Sequence, residues 1–194
     1  MKSGPLIIVS GPSGSGKSTV IERLLRTSRW PLHLSVSATT RSPRRREKDG
    51  VHYHFWTPEQ FKEEVKAGAF LEWARVHGNS YGTLRREVEE PRARGEGVIL
   101  DIDVQGAAQV RQQCPDAVTV FVRATNLKTH EDRLRKRGSE DESSIQRRLK
   151  AAAGELAHAT EYDHLVINDD LDAAIAGLRA IVSRQFDKGD GNAG

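Results

Sequence analysis

The sequence predicts an α/β fold, a sheet of buried strands with helices on its faces, and two observations carry that prediction. The first is residues 6–19, LIIVSGPSGSGKST, where an apolar, β-branched run stops in a glycine-rich loop ending in a lysine and two hydroxyls. That is a strand, a loop and a helix start. The second is a set of later apolar runs, 98–104, 118–122 and 164–167, separated by stretches with apolar residues at helical spacing. A chain of 194 residues can bury one good core and carry inserted subdomains rather than a second independent domain.

Composition narrows the function classes. The single cysteine, Cys114, excludes an internal disulfide, and no apolar stretch approaches the ~20 residues of a membrane span. Residues 1–5 lack signal-peptide character, so the expectation is a cytoplasmic protein with no membrane partner. A net charge of +3 and a pI near 9.1 are compatible with nucleic acid. The basic residues, however, are interleaved with 27 acids, so no nucleic-acid partner is expected.

The loop fits G-x-x-x-x-G-K-[ST] through Gly11, Gly16, Lys17 and Ser18. Gly11, Gly14 and Gly16 lack a Cβ, so the backbone can wrap with its N–H groups aimed at a polyphosphate. Lys17 then reaches the β and γ phosphates, and the Ser18 hydroxyl is placed to ligate Mg²⁺.

Downstream, Val20, Leu24 and Leu25 give a helix ending near Thr27, and residues 32–37 alternate as a half-buried strand. Residues 37–55 carry Arg41, Arg44, Arg45 and Arg46 with little to form a core, so they are either a binding surface or a disordered loop. Val51 to Trp56 reads as a short strand with Tyr53 and Phe55 on one face. Thr57-Pro58-Glu59-Gln60 supplies an N-cap, a proline at the first helical position and a capping-box glutamine, for a helix stopped by Gly68. Residues 70–76 read as a strand and Gly78-Asn79 as a turn. Thr83 can cap a helix through Leu84 and Val88, which Pro91 should kink or end.

Residues 98–104, VILDIDV, form a buried strand whose aspartates suit a Walker-B element holding Mg²⁺ and its waters. After the 118–122 strand, Asn126 caps a helix with Leu127, His130 and Leu134 on one face. His130 is expected at the edge of packing, without a metal or catalytic role, since no second ligand is spaced with it. A second helix from about Glu142 carries Ile145, Leu149, Ala152 and Leu156, with Arg147 and Arg148 beside them. This arginine-rich pair is either a solvated face or a lid. After the last strand, Asn168-Asp169-Asp170 caps a final helix, and the polar tail from Asp187 is expected to be disordered.

Taken together the chain resembles the guanylate kinases. The resemblance rests on GPSGSGKST at 11–19, SVSATTRSPR at 35–44, DGVHYHF at 49–55, FLEWARVHGNSYGT at 70–83, ILDIDVQG at 99–106, RLRKRG at 133–138 and IQRRL at 145–149. It implies a doubly wound, P-loop NTPase-type parallel sheet with helices on both faces. The implied core covers 1–35, 87–126 and 154–187, with a GMP-binding subdomain at 36–86, a lid at 127–153 and a disordered tail at 188–194.

The resemblance also implies site residues. ATP would bind at Gly11, Pro12, Ser13, Gly14, Ser15, Gly16, Lys17, Ser18 and Thr19, with Arg133, Arg137 and Asn168. The GMP phosphate would be held by Arg41, Arg44, Tyr53 and Tyr81, a set whose guanidinium forks and phenol donors suit a dianion. Guanine would be read by Ser37, Glu72 and Thr83 with Asp103 beside them, a carboxylate accepting from N1–H and the 2-amino group. Lys17, Arg41, Arg137 and Arg148 would be catalytic. Mg²⁺, arriving with ATP, would be held by Ser18 and, through water, Asp101.

The implied reaction moves the γ-phosphate of MgATP to GMP or dGMP, for purine nucleotide metabolism. A non-catalytic guanylate-kinase-like interaction module is the alternative, and the intact Lys17, Ser18, Arg41 and lid arginines argue against it. Two positions depart from the family pattern: Arg46 in PRRRE, where glycine is usual, and Pro91 inside a helix.

Overall fold

A computed structural model describes residues 3–76, 78–136 and 142–190. Five parallel strands build the main sheet in the order β2 (Leu32–Leu34), β7 (Gly97–Asp101), β1 (Leu6–Ser10), β8 (Val118–Arg123) and β9 (His164–Ile167). Side chains alternate across a strand, and β1 shows the consequence. Ile7 and Val9 point into the layer of α1 (Lys17–Thr27) and α7 (Leu171–Asp190), where Val20, Leu24, Ile175 and Leu178 meet them. Leu6 and Ile8 point into the opposite layer, against Val88 of α3 (Arg85–Ala93) and Ala107 and Val110 of α4 (Val104–Gln113). Helices therefore cover both faces, and β1 is buried over its whole length. Each such Ile or Val contributes ~1.5–3 kcal/mol by leaving water.

From β1 the chain runs to β2 and back to β7 on one side, then crosses to β8 and β9 on the other. The C-terminal end of β1 is thus a point where the connections diverge, the place where open α/β sheets keep their ligand crevice.

A second, four-stranded sheet has the order β4 (His54–Phe55), β3 (Ala38–Thr39), β6 (Asn79–Leu84) and β5 (Phe70–Val76). Its own small core, Ala38, Phe61, Phe70 and Leu84, is closed by α2 (Pro58–Lys66). The start of α2 is the capping box read from the sequence: Thr57 Oγ1 accepts from Gln60 N–H at 3.2 Å, and Gln60 Oε1 accepts from Thr57 N–H at 2.9 Å. Two more helices, α5 (Leu127–Lys136) and α6 (Glu142–Leu156), pack on each other beside the crevice. Among the described residues no helix is long and apolar enough to cross a membrane.

Several local expectations are corrected. Thr83 does not cap a helix: it lies in β6, and α3 starts at Arg85 after Leu84, with no side-chain cap. The cross-strand bond that Thr83 makes to Glu72 outweighs its capping tendency. The VILDIDV run is a strand only to Asp101, because Asp103 caps the unforeseen α4 by accepting from Gly106 N–H at 2.8 Å. Strand β2 ends at Leu34 rather than Ser37. Pro91 sits inside α3, which ends two residues later at Ala93. The final helix runs to Asp190 instead of fraying at Asp187, and the rest of the expected tail, 191–194, lies outside the described residues.

Arg46 is accommodated without glycine. The turn at 44–47 is closed by Glu47 N–H bonding the Arg44 carbonyl at 2.9 Å, and the Glu47 carboxylate accepts from Arg44 N–H at 2.7 Å.

Candidate active site

The loop between β1 and α1 is shaped by contacts that only glycine permits. Gly14 and Gly16 have φ of 81° and 83°, in the left-handed region. A Cβ on Gly11 would stand 1.9 Å from the Val122 carbonyl oxygen, and one on Gly14 would stand 2.6 Å from that of His130. Gly16 is also the N-cap of α1 and offers no capping side chain. The first-turn N–H groups and the positive end of the helix dipole are therefore left for an anion.

Lys17 Nζ donates to the Gly11 carbonyl at 2.6 Å, curling across the mouth of the loop, and stands 4.0 Å from Asp101 Oδ1. The Ser18 hydroxyl donates to Asp101 Oδ2 at 2.7 Å. The last residue of β7 is thereby joined to the first turn of α1. Among the described residues no group of three or more His, Cys, Asp or Glu is arranged to hold a metal. The hydroxyl and carboxylate oxygens of Ser18 and Asp101 suit a hard cation that brings its remaining ligands with it.

Facing this loop across the same cleft are Ser37, Arg41, Arg44, Tyr53, Glu72 and Tyr81 from the second sheet and its loops, with Asp103 and Arg148 at the sides. Arg41 is held by Glu47 through a two-pronged pair, at 2.8 and 3.0 Å, and its guanidinium lies 5.4 Å from the centroid of Tyr53. The hydrogen bond to Glu47 raises the Arg41 pKa further. Burial, with Asp101 and Tyr81 adding to it, pushes the Tyr53 phenol up to about 12, so it remains a proton donor.

Glu72 is the most unusual group. It is 5% exposed, and among the described residues its side-chain hydrogen-bond partner is the Thr83 hydroxyl, which donates to Oε1 at 2.6 Å. Burial raises its pKa to about 7 against the effect of that bond, with Asp103 adding to the rise. Its Oε2 approaches Gly106 so closely that a Cβ there would stand 2.6 Å away. The cleft thus has a buried carboxylate in its wall, with acceptor capacity beyond the Thr83 bond.

The other expected residues fall into a neighbouring depression, where Thr19, Arg133 and Asn168 line one wall with Gly14 and Gly16. Asn168 Nδ2 and Arg133 both donate to the Ser15 carbonyl, at 2.7 and 3.2 Å, and Arg133 also donates to the Asn168 carbonyl at 2.6 Å. Arg137 lies outside the described residues.

Sequence reasoning missed four participants. Glu47 was legible only as the acid that follows three arginines. Gly106 lies within a quoted motif, but its closeness to Glu72 depends on how α4 docks on β5. Glu155 of α6 lines the cleft, and burial raises its pKa although Lys17 and Arg148 oppose the shift. His130, expected at an edge, is fully buried.

The fold and cleft define a class: a phosphate-loop α/β protein in which the glycine-rich loop and Lys17 face, across one cleft, a wall carrying Arg41, Arg44, Tyr53, Tyr81 and the buried Glu72. Similarity to known proteins narrows the class. The guanylate kinase family model matches residues 3–185. The guanylate kinase of Idiomarina loihiensis is 46% identical over 186 residues, 95% of this chain and 89% of that one. That of Fusobacterium nucleatum is 47% identical over 182 residues, 94% of this chain and 97% of that one. The crystal structure of guanylate kinase from Anaplasma phagocytophilum superimposes with a TM-score of 0.78 at 30% identity, covering 95% of this chain and 87% of that one. The chain belongs to the guanylate kinase family. Its complete phosphate loop does not favour a scaffold without turnover.

Proposed function

We propose that the cleft moves the γ-phosphate of MgATP to GMP, and to dGMP, giving ADP and the diphosphate. The observation that carries this is the opposition of the two halves: Lys17 and the α1 N-terminus on one wall, Arg41, Arg44, Tyr53 and Tyr81 on the other, and a buried carboxylate beside them. In this reading 36–86 binds GMP, 127–153 acts as a lid, and 1–35, 87–126 and 154–187 are the core.

Glu72 accepts from guanine N1–H and the 2-amino group, with Ser37, Thr83 and Asp103 around the base. The two arginines and two tyrosines hold the GMP phosphate. Arg133 and Asn168 serve the ATP side. The attacking oxygen belongs to an ionised phosphate, so no general base is needed, and catalysis is positioning plus charge neutralisation. Lys17, Arg41, Arg148 and, by the family pattern, Arg137 supply the positive charge. Ser18 and, through water, Asp101 would hold Mg²⁺, which would supply positive charge to neutralise the phosphates. Closure of the lid through α6, with α5 remaining against the loop, excludes water, which would otherwise accept the phosphoryl group.

The single cysteine, Cys114, supports a place in the reducing cytoplasm, where the products enter purine nucleotide metabolism. The test is ADP production from MgATP with GMP, dGMP, AMP, UMP, CMP or dTMP in turn. Turnover with the two guanine nucleotides, at least about a hundredfold above the rest in kcat/KM, is the expected outcome. A chain that used AMP as well as GMP would overturn the assignment of the base pocket.

A further inference from the structure

Two peptide units of the phosphate loop are tied from outside by their carbonyls. In a trans peptide the C=O and the following N–H point in opposite directions. Binding the Ser15 carbonyl to Asn168 and Arg133 therefore turns the Gly16 N–H the other way, toward the cleft. The Ser13 carbonyl, which precedes Gly14, is tied by a different group. His130 Nδ1 lies 3.2 Å from Ser13 O, and His130 Nε2 lies 3.2 Å from the Ala124 backbone nitrogen.

The Ala124 N–H can only donate, so Nε2 is the bare nitrogen. Nδ1 must then carry the proton and donate it to Ser13 O. The surroundings favour this neutral form: the imidazole is fully buried, and burial lowers its pKa, with the charges of Arg133 and Arg123 adding to the effect. The same residue touches the loop through its main chain, its carbonyl standing where Gly14 has no room for a Cβ. His130 and Arg133 are three residues apart on α5 and so share a face. That face grips the loop at Ser13 and at Ser15.

We infer that His130 is a positioning residue for ATP: its Nδ1–H fixes the Ser13 peptide so that the Gly14 N–H is presented to the nucleotide's phosphates, and it makes α5 a brace of the loop. The inference rests on the reading of residues 11–18 as the ATP phosphate site, and it assigns His130 a role in one half of the reaction only.

Three variants separate this role from packing. Asn places an amide nitrogen near the position of Nδ1 and can still donate to Ser13 O. Gln reaches the position of Nε2 and can still accept from Ala124. Leu fills the volume and does neither. His130→Leu and His130→Gln should each raise the KM for MgATP and the Kd for MgADP by roughly three- to tenfold, the worth of one buried hydrogen bond. The KM for GMP should stay within about twofold, and His130→Asn should restore nucleotide affinity to within about twofold of the parent. Thermal unfolding of each variant is recorded alongside, and if Leu does not fold, the contrast of Asn with Gln decides. Equal MgADP affinity in Gln and Asn, or a parallel rise in KM for both substrates, overturns the inference. If the parent itself fails to bind MgADP in calorimetry, it is the phosphate-loop reading that fails.

Discussion

On the proposed reading the two walls of the cleft hold anions by opposite means, and the contrast explains most of what the molecule asks of its sequence. The ATP wall is main chain. Its N–H groups are aimed by glycines packed against the carbonyls of Val122 and His130 and by ties to the Ser13 and Ser15 carbonyls. The GMP wall is side chain: a guanidinium paired with Glu47, a phenol kept protonated, and a carboxylate buried beside the Thr83 hydroxyl. A main-chain site is fixed when the chain folds and reads any polyphosphate. A side-chain site stores its selectivity as groups that are imperfectly satisfied until the right base arrives.

The largest expected effect lies on the ATP wall. Lys17→Met removes the ammonium that lies across the mouth of the loop, and should lower kcat by about a thousandfold or more while leaving the melting temperature within a few degrees. Steady-state kinetics with differential scanning calorimetry check both halves of that statement. Activity within tenfold of the parent would mean that the main chain alone stabilises the transferring group.

A smaller, pH-dependent effect belongs to the GMP wall. Glu72 has a pKa raised from 4.5 to about 7, so the folded state holds its proton more tightly than the unfolded state does. Its contribution to stability therefore falls as pH rises from about 4.5 to about 7, by on the order of 3 kcal/mol in all. Glu72→Gln should melt above the parent at pH 8, with the gap closing toward pH 4.5. For the parent, the KM for GMP should be flat above about pH 7 and rise as the carboxylate protonates below it. Melting curves and KM measured across that range, parent against variant, check the sign. A parent that melts higher than Glu72→Gln at pH 8 would show that the carboxylate is not strained by burial.

The smallest effects are those of neutral hydroxyls. Ser37→Ala removes one neutral hydrogen bond, worth ~0.5–1.5 kcal/mol, and should raise the KM for GMP by roughly two- to tenfold, while Thr83→Val removes the bond to the Glu72 carboxylate, worth ~1.5–3 kcal/mol, and should raise it by roughly ten- to a hundredfold. If Thr83→Val instead matched removal of the carboxylate, the selectivity would reside in the Thr83–Glu72 pair as a unit.

The same contrast governs what the sequence could reveal. The ATP wall is contiguous, so Gly11, Gly16, Lys17 and Ser18 announce it after a buried strand. The GMP wall is assembled from residues scattered between Ser37 and Thr83, and it became legible through its likeness to a family rather than through any periodicity. Two elements escaped for local reasons. Helix α4, VQGAAQVRQQ, is built from small and polar residues with weak apolar spacing, and β6, NSYGTL, lacks apolar alternation. Glu155 and His130 escaped because their partners lie on other elements, and only the assembled fold brings them to the cleft and Ser13; Glu47 escaped because its pairing with Arg41, six residues back in the same loop, depends on how that loop turns.

The claim that guanine is chosen by side-chain chemistry on one wall is tested most directly by the GMP-to-AMP ratio of kcat/KM in Glu72→Ala. Adenine offers no donor at N1 or C2, so AMP leaves the parent's buried carboxylate unpaired, at a cost of ~3 kcal/mol or more. Truncation should lower kcat/KM for GMP by ~10²-fold or more and leave AMP use unchanged or slightly better, so that the ratio collapses. A variant that kept the parent's ratio would contradict the account and place the reading of guanine elsewhere in the cleft.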